Sequence, residues 1–140
     1  MASRVVSEPD PGSPGAYERA RRARVLVADD DDSLRRLIRL SVEIGDVIVE
    51  EAANGVAALA MARAHPPDVA LLDWMMPGLS GLEVCRALRA DPGLAGALIV
   101  IVTARVLPDD RDEALAAGAD HFVAKPFSPV ALLELVRDAL

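Results

Sequence analysis

A stretch near the start of the chain decides the fold, and residues 24–42 read RVLVADDDDSLRRLIRLSV. Residues 25–28 form a continuous apolar run, which is typical of a short strand buried on both faces of a sheet. Acidic residues follow at once. The apolar residues after them recur at helical spacing, at Leu34, Leu37, Ile38 and Val42. The stretch therefore predicts a buried strand, an acidic turn and a helix that ends near Gly45.

The same strand-and-helix unit recurs along the chain. Apolar segments predict four further strands, over residues 47–51, 69–72, 98–102 and 121–124. A helical segment follows each of them, and the last helix opens on the N-cap pair Ser128 and Pro129. Strands that alternate with helices and are apolar on both sides form a parallel sheet that helices cover. Because right-handed crossovers leave few other arrangements, this pattern predicts an α/β fold with an open, doubly wound (βα)5 sheet. We expect the strand order 2-1-3-4-5, which is common among such sheets.

Length and composition predict one folded domain preceded by a tail. The chain has 140 residues, of which 52% are hydrophobic, enough for one buried core. Residues 1–22 are rich in proline and glycine and show no periodicity, so we expect a flexible N-terminal tail before a domain over residues 23–140. No apolar run approaches the roughly 18 residues of a membrane span, and no secretory signal opens the chain. The sequence therefore predicts a cytoplasmic protein without membrane contact.

The charge balance excludes some partners. Five arginines and three acids fall within residues 1–24, so residues 25–140 carry 10 bases against 19 acids, a net charge of −9. Attraction to phosphates dominates nucleic-acid affinity, and such an acidic domain is not expected to bind nucleic acid directly. No Gly-x-Gly-x-x-Gly follows the first strand, which argues against a dinucleotide ligand. The single cysteine, Cys85, excludes an internal disulfide and a cysteine-based zinc site.

Lysine usage is unusual. Fourteen of the 15 bases are arginines, and the one lysine is Lys125. Because an arginine bias commonly reflects genomic base composition, the single lysine is either chance or a position that arginine cannot fill. A lysine ends in a compact ammonium, whereas an arginine ends in a wide fork, so the second alternative indicates a contact with one small acceptor.

Polar side chains follow four of the five predicted strands. Asp29 and Asp30 come after the first strand, Asp73 after the third, Thr103 after the fourth and Lys125 after the fifth. Parallel strands bring their carboxyl ends to one edge of a sheet, where α/β proteins bind their ligands. We therefore expect these five side chains to converge.

The chemistry of this set favours phosphoryl transfer. Three carboxylates at one edge repel one another, and a hard divalent cation relieves that repulsion. Oxygen ligands without cysteine or histidine select Mg²⁺ or a similar ion, which commonly works with phosphate oxygens. An aspartate is able to act as a nucleophile and form an acyl phosphate. The hydroxyl of Thr103 and the ammonium of Lys125 suit the remaining phosphoryl oxygens.

Together these residues resemble a known family. The resemblance rests on Asp29-Asp30, on Asp73 before Met76-Pro77 and Gly81, on Thr103-Ala104, and on Lys125-Pro126-Phe127. In this order and at these strand ends, residues 24–140 are similar to the receiver domain of two-component response regulators. The resemblance implies a flavodoxin-like fold and a phosphoacceptor signalling domain. Such a domain is not a free-standing enzyme, and it catalyses only its own phosphotransfer and slow dephosphorylation.

The resemblance also implies a role for each residue of the site. Asp73 would accept the phosphoryl group from a sensor histidine kinase or a histidine phosphotransfer protein. Asp30 and Asp73 would bind Mg²⁺ through carboxylate oxygens and Asp29 mostly through water, and the backbone carbonyl of Met75 would complete the protein ligands. Thr103 and Lys125 would contact the acyl phosphate.

A switch and a binding face follow from the same resemblance. Thr103 and Phe122 match the switch positions, and the bond between Lys125 and Pro126 is expected to be cis. Signalling would pass to an effector or output domain through residues 109–140, a face through which the family often forms homodimers. From the residues alone, Phe122 fits the interpretation as an ordinary core residue as well as it fits the interpretation as a switch residue.

Two alternatives stay open. Four aspartates in a row leave the register of the acidic pair within residues 29–32 open by one, and we choose Asp29 and Asp30 because the first strand ends at residue 28. A Mg²⁺-dependent phosphohydrolase with an aspartyl-phosphate intermediate would instead use Asp29 and Asp31 as an Asp-x-Asp pair. That class carries a large cap domain, for which 140 residues leave no room, and it does not explain Asp73.

Overall fold

Five strands and five helices alternate along residues 22–140, the part of the chain that the computed structural model describes. The strands are β1 (Arg24–Ala28), β2 (Ile48–Ala52), β3 (Val69–Leu72), β4 (Leu98–Thr103) and β5 (His121–Ala124). The helices are α1 (Asp32–Val42), α2 (Gly55–Ala64), α3 (Gly81–Ala90), α4 (Asp110–Ala116) and α5 (Pro129–Ala139). None of these helices is long and apolar enough to cross a membrane. The predicted tail lies outside the described residues, Arg22 excepted, so its boundary after residue 22 stays a prediction.

The five strands form one parallel sheet in the order β2-β1-β3-β4-β5. Ala28, the last residue of β1, lies between Ala52 of β2 and Leu72 of β3. Thr103, the last residue of β4, pairs with Ala124 of β5. This is the predicted strand order, and the register brings the carboxyl ends of the strands level with one another at one edge.

Alternate residues of β1, β3 and β4 enter different cores, which is why these three strands are continuous apolar runs in the sequence. On one face, Val25 of β1 lies in a core with Ile38 of α1 and Leu132 of α5. On the other face, Leu26 lies in a core with buried residues of α2, α3 and α4. Helices therefore cover both faces of the sheet. The ends of the strands are not covered in this way.

Side-chain caps fix where most of the helices begin. Asp31, Asn54, Ser80 and Ser128 each accept a hydrogen bond from the backbone N–H three residues further on. Ser80 also forms a capping box with Glu83. The start of α4 differs, because its N-cap, Asp109, makes no side-chain hydrogen bond of this kind.

Some details differ from the sequence pattern. Helix α1 ends at Val42 with Glu43 as its C-cap, so Gly45 lies in the turn beyond it at φ +60°. Leu37 is 45% exposed, because Ile38 and Val42, four residues apart, define the face that packs on the sheet. The second strand runs one residue later than predicted, over Ile48–Ala52.

Replacing Ile38 with alanine tests the core between α1 and the sheet. Ile38 is 2% exposed, whereas Leu40 on the same helix is 64% exposed. We expect Ile38→Ala to lower the free energy of unfolding by about 2–5 kcal/mol, because it removes buried methyl groups and leaves a cavity. Leu40→Ala, the matched control, should change it by less than about 0.5 kcal/mol. Urea denaturation measures both, and equal losses would contradict this assignment of the helix faces.

Candidate functional site

Backbone hydrogen bonds hold the ends of the strands against one another. The N–H of Asp29 donates to the carbonyl of Ala52 at 3.1 Å, and the N–H of Asp73 donates to the carbonyl of Ala28 at 2.9 Å. On the other side, the N–H of Lys125 donates to the carbonyl of Thr103 at 2.8 Å. The sheet ladder thus extends into the first residue beyond β1, β3 and β5, which are the residues that carry the polar side chains.

The loop after β3 is fixed by a close backbone approach. Gly81, the first residue of α3, donates its N–H to the carbonyl of Trp74 at 2.9 Å. A Cβ atom at Gly81 would overlap the backbone carbonyl of Asp73. A glycine at this position therefore allows α3 to begin directly against the backbone of Asp73.

Three carboxylates meet at this edge of the sheet. Asp29, Asp30 and Asp73 each offer one carboxylate oxygen, and the three oxygens lie within 4.8 Å of one another. Asp29 and Asp73 are buried, whereas Asp30 is exposed and lines an open groove beside Met75. An all-oxygen donor set of this size and charge fits a hard divalent cation such as Mg²⁺.

The run of four aspartates divides between the site and helix α1. Asp31 is the N-cap of α1, and its Oδ1 atom accepts from the N–H of Leu34 at 3.0 Å. Its own N–H donates to Oδ1 of Asp29 at 2.9 Å. Asp32 lies in the first turn and pairs with Arg35 at 2.7 Å. The structure therefore brings Asp29 and Asp30 to Asp73, and it assigns Asp31 to the cap of the helix.

Lys125 lies against both buried carboxylates. Its Nζ atom is 2.7 Å from Oδ2 of Asp29 and 3.4 Å from Oδ2 of Asp73. Burial acts to lower the pKa of the Lys125 ammonium, but hydrogen bonds and attraction from the two carboxylates outweigh it, and the pKa lies above its ordinary value. Lys125 is therefore held in its charged form between two acids.

The surroundings of Asp73 disfavour the negative charge of its carboxylate. Burial raises the pKa of its carboxyl above the ordinary value, and the negative charge of Asp29 raises it further. Lys125 and a hydrogen bond from the backbone of Met75 act in the opposite direction without cancelling the rise. A further cation at this cluster would lower the repulsion, which agrees with the fit of the donor set to Mg²⁺.

The other predicted residues have contacts of their own beyond the three carboxylates. Thr103 is buried, and its Oγ1 atom accepts from the N–H of Arg105 at 3.1 Å. Phe122 is buried and meets the ring of Trp74 edge to face, with centroids 6.4 Å apart. The bond between Lys125 and Pro126 is cis, as expected. The roles predicted for Thr103, for Phe122 and for the carbonyl of Met75 stay predictions.

Sequence patterns did not reveal the neighbours of Trp74. The guanidinium of Arg105 lies 4.6 Å from the centroid of the Trp74 ring, and the same side chain pairs with the buried carboxylate of Asp110. An arginine in a loop and an acid at a helix start are ordinary surface residues in a sequence. The one available signal was that Arg105 follows two residues after Thr103.

The comparisons with known proteins agree with this geometry. Residues 25–137 match the family described as the response regulator receiver domain. The chain belongs to this family. The DNA-binding response regulator MtrA of Mycobacterium tuberculosis is 40% identical to this receiver domain over 119 residues, 85% of this chain and 51% of that protein. The phosphate regulon transcriptional regulatory protein PhoB of Rhizobium meliloti is 37% identical over 117 residues, 84% of this chain and 52% of that protein.

Solved receiver structures show the same fold. The chemotaxis protein CheY4 of Vibrio cholerae has a TM-score of 0.78 and 32% identity, with 86% of this chain and 100% of that chain covered. The signal receiver domain of NarL from Mycobacterium tuberculosis has a TM-score of 0.77 and 35% identity, with 84% and 94% covered. The chain spans about half the length of the curated relatives that it matches.

A receiver domain is a phosphoacceptor module of two-component signal transduction, and it is not a free-standing enzyme. The phosphohydrolase alternative is not favoured, because the family match runs through residues 25–137 and because Asp31, the second acid of the Asp-x-Asp pair, caps α1. The Asp-x-Asp spacing in this chain therefore reflects a helix start.

Substitution of Gly81 tests the close approach that fixes the loop after β3. We expect Gly81→Ala to lower the free energy of unfolding by about 1–3 kcal/mol, because the added methyl group has to displace backbone. The matched control is Gly96→Ala, since a Cβ at Gly96 meets nothing within 4 Å. Urea denaturation of both variants decides the point, and an unchanged midpoint for Gly81→Ala would show that the loop is not constrained here.

Proposed function

We propose that this receiver domain accepts a phosphoryl group on Asp73 from the phosphohistidine of a sensor histidine kinase or a histidine phosphotransfer protein. The reaction requires Mg²⁺ and changes a protein-binding face of the domain. The observation that supports this proposal is the convergence of three carboxylates, those of Asp29, Asp30 and Asp73, with the ammonium of Lys125.

Asp73 is better suited than Asp29 to act as the nucleophile. Both oxygens of Asp29 already accept hydrogen bonds, one from the N–H of Asp31 and one from Lys125. The contact from Lys125 to Asp73 is longer, at 3.4 Å, and Asp73 is 7% exposed against 1% for Asp29. A carboxylate oxygen of Asp73 would attack the phosphorus atom while the phosphorus–nitrogen bond breaks. The electron pair of that bond stays on the imidazole nitrogen, which then takes up a proton.

Asp29, Asp30, Asp73 and the backbone carbonyl of Met75 would hold the Mg²⁺ ion. When bound, the ion neutralises the clustered carboxylates and draws charge from the phosphoryl oxygens. Asp29 and Asp73 are held by the ends of β1 and β3, while Asp30 is exposed at the groove. The exposed position of Asp30 gives a hydrated ion a path to the buried acids.

Thr103 and Lys125 are suited to stabilise the transferred group. The Thr103 oxygen accepts from the N–H of Arg105, so its own hydrogen is left to donate to a phosphoryl oxygen. The Lys125 ammonium carries three hydrogens and already lies near Asp73. A compact ammonium fits between Asp29 and Asp73, whereas a guanidinium fork is wider, and this difference accounts for a lysine in a chain rich in arginine.

The partner-binding face is proposed to lie over residues 109–140 and to include the switch residue Phe122. Exposed apolar side chains at Val106 and Leu107 border this face, where an effector, an output domain or a second copy of the chain would bind. DNA binding is a property of relatives such as MtrA. Because residues 25–140 carry a net charge of −9, we propose that this domain binds protein and neither nucleic acid nor membrane. The cytoplasmic location stays a prediction, in keeping with the family.

Phosphorylation by a small donor tests the acceptor. With acetyl phosphate and Mg²⁺, intact-mass analysis should show one added phosphoryl group on the wild type and none on Asp73→Asn, because the amide is not a nucleophile here. Removal of Mg²⁺ with a chelator should abolish the addition. A wild type that stays unmodified with several phosphodonors, or an Asp73→Asn variant that is modified as fast, would overturn the proposal.

Fluorescence of Trp74, the one tryptophan, tests the metal site. Trp74 directly follows Asp73 and is buried, so Mg²⁺ should change its emission saturably below tens of mM, roughly the range of weak hard-cation sites. Asp30→Asn should require about tenfold more Mg²⁺, since it removes one ligand charge. Asp31→Asn is the matched control, because asparagine caps a helix as well as aspartate does. Equal midpoints in the two variants would contradict the assignment of Asp30.

A further inference from the structure

Trp74, the residue after Asp73, is held by side chains on two sides. The guanidinium of Arg105 lies 4.6 Å from the centroid of its ring, and the ring of Phe122 meets it edge to face at 6.4 Å and 89°. The cation is attracted to the electron-rich face of the indole, and the aromatic pair has the favoured edge-on geometry. Because Trp74 is buried and adjoins Asp73 in the chain, these contacts restrain the backbone that carries Asp73.

Arg105 also neutralises a buried acid at the start of α4. Its Nε atom lies 3.3 Å and 3.2 Å from the two carboxylate oxygens of Asp110. Asp110 is 2% exposed, and its Oδ2 atom also accepts from the N–H of Leu107 at 2.7 Å. A buried carboxylate without its cation is strongly unfavourable. Arg105 therefore joins the short loop after β4 to Asp110, the first residue of α4.

The backbone of Arg105 contacts a third residue, Thr103. Its N–H donates to Oγ1 of Thr103 at 3.1 Å and sets the position of that hydroxyl. One residue thus contacts Thr103 through its backbone and both Trp74 and Asp110 through its side chain. It connects the end of β4 to the end of β3, the two strand ends that carry Thr103 and Asp73.

We infer that Arg105 is a positioning residue for phosphoryl transfer to Asp73. The inference rests on the proposed function. Arg105 acts through Trp74 on one strand end and through Thr103 on the other, and it keeps the hydroxyl and the acceptor carboxylate at a fixed separation. Misplacement by about 1 Å is enough to slow a reaction greatly, so this restraint has a measurable effect on rate.

The contacts of Arg105 depend on the shape of the guanidinium group as well as on its charge. A planar guanidinium stacks on an aromatic face while its N–H groups donate in the plane of the fork, so Arg105 engages Trp74 and Asp110 together. The ammonium of a lysine keeps the positive charge, but it lacks the planar group that packs on the ring of Trp74. Arg105→Lys should therefore retain part of the effect, whereas Arg105→Gln should lose it.

The test measures the initial rate of Asp73 phosphorylation by acetyl phosphate with Mg²⁺, followed by intact mass. We expect Arg105→Gln to be about tenfold slower than the wild type, with Arg105→Lys between the two. Arg86→Gln on the exposed face of α3 is the matched control and should keep the wild-type rate. Arg105→Gln also leaves the carboxylate of Asp110 without its cation and is expected to destabilise the start of α4, so urea denaturation verifies that each variant is folded under the conditions of the rate measurement.

Trp74 emission without Mg²⁺ reports whether the contact between Arg105 and the indole, through which Arg105 is inferred to act on Asp73, is lost in each variant. Arg105→Gln should shift the emission because the indole loses its stacked cation, and Arg86→Gln should not. A wild-type rate in Arg105→Gln, equal rates in Arg105→Gln and Arg105→Lys, or a slow Arg105→Gln with unchanged emission would each overturn the inference and leave the proposed function standing. A wild type that takes up no phosphate would overturn the proposed function, and this inference with it.

Discussion

Lys125 places its ammonium 2.7 Å from an oxygen of Asp29 and 3.4 Å from an oxygen of Asp73, and the other features of the site are organised around this contact. Burying a carboxylate without a partner costs several kcal/mol, roughly, and two neighbouring carboxylates add their repulsion. The ammonium of Lys125, whose side chain is 10% exposed, offsets both costs incompletely, since the pKa of Asp73 stays raised. Three carboxylates against one ammonium leave the cluster with a net negative charge, which makes it attractive to a further cation.

The parallel sheet makes this arrangement possible. Each of the strands β1, β3, β4 and β5 ends at the same edge and contributes a polar group there. The ladder continues into Asp29, Asp73 and Lys125 through their backbone N–H groups, so the side chains start from fixed positions. The loops then adjust the geometry, one through the close approach of Gly81 and the other through Arg105. A change in any of these loops would alter the separation of the groups without changing their identity.

The five strands and the convergence of their ends can be predicted from the sequence, because buried strands appear as apolar runs and parallel strands bring their carboxyl ends to one edge of the sheet. The register of the acidic pair within residues 29–32 cannot be predicted in this way, because four identical residues show no pattern. The cap that Asp31 places on α1 decides it, with Asp29 and Asp30 left for the site. The contact of Arg105 with Trp74 joins two loops that no periodicity relates, and only the folded structure shows it. The apolar face of α1 was predicted too wide, since Leu37 is 45% exposed.

A crystal structure with Mg²⁺ and beryllium fluoride, a tetrahedral mimic of a phosphoryl group, tests the central claim most directly. We expect beryllium fluoride to be bonded to a carboxylate oxygen of Asp73, with Lys125 and the Thr103 hydroxyl as its protein donors. We also expect the metal beside it on Asp30 and Asp73. Beryllium fluoride bonded to Asp29 or Asp30, or a metal bound away from these three acids, would contradict the assignment of Asp73 as the acceptor.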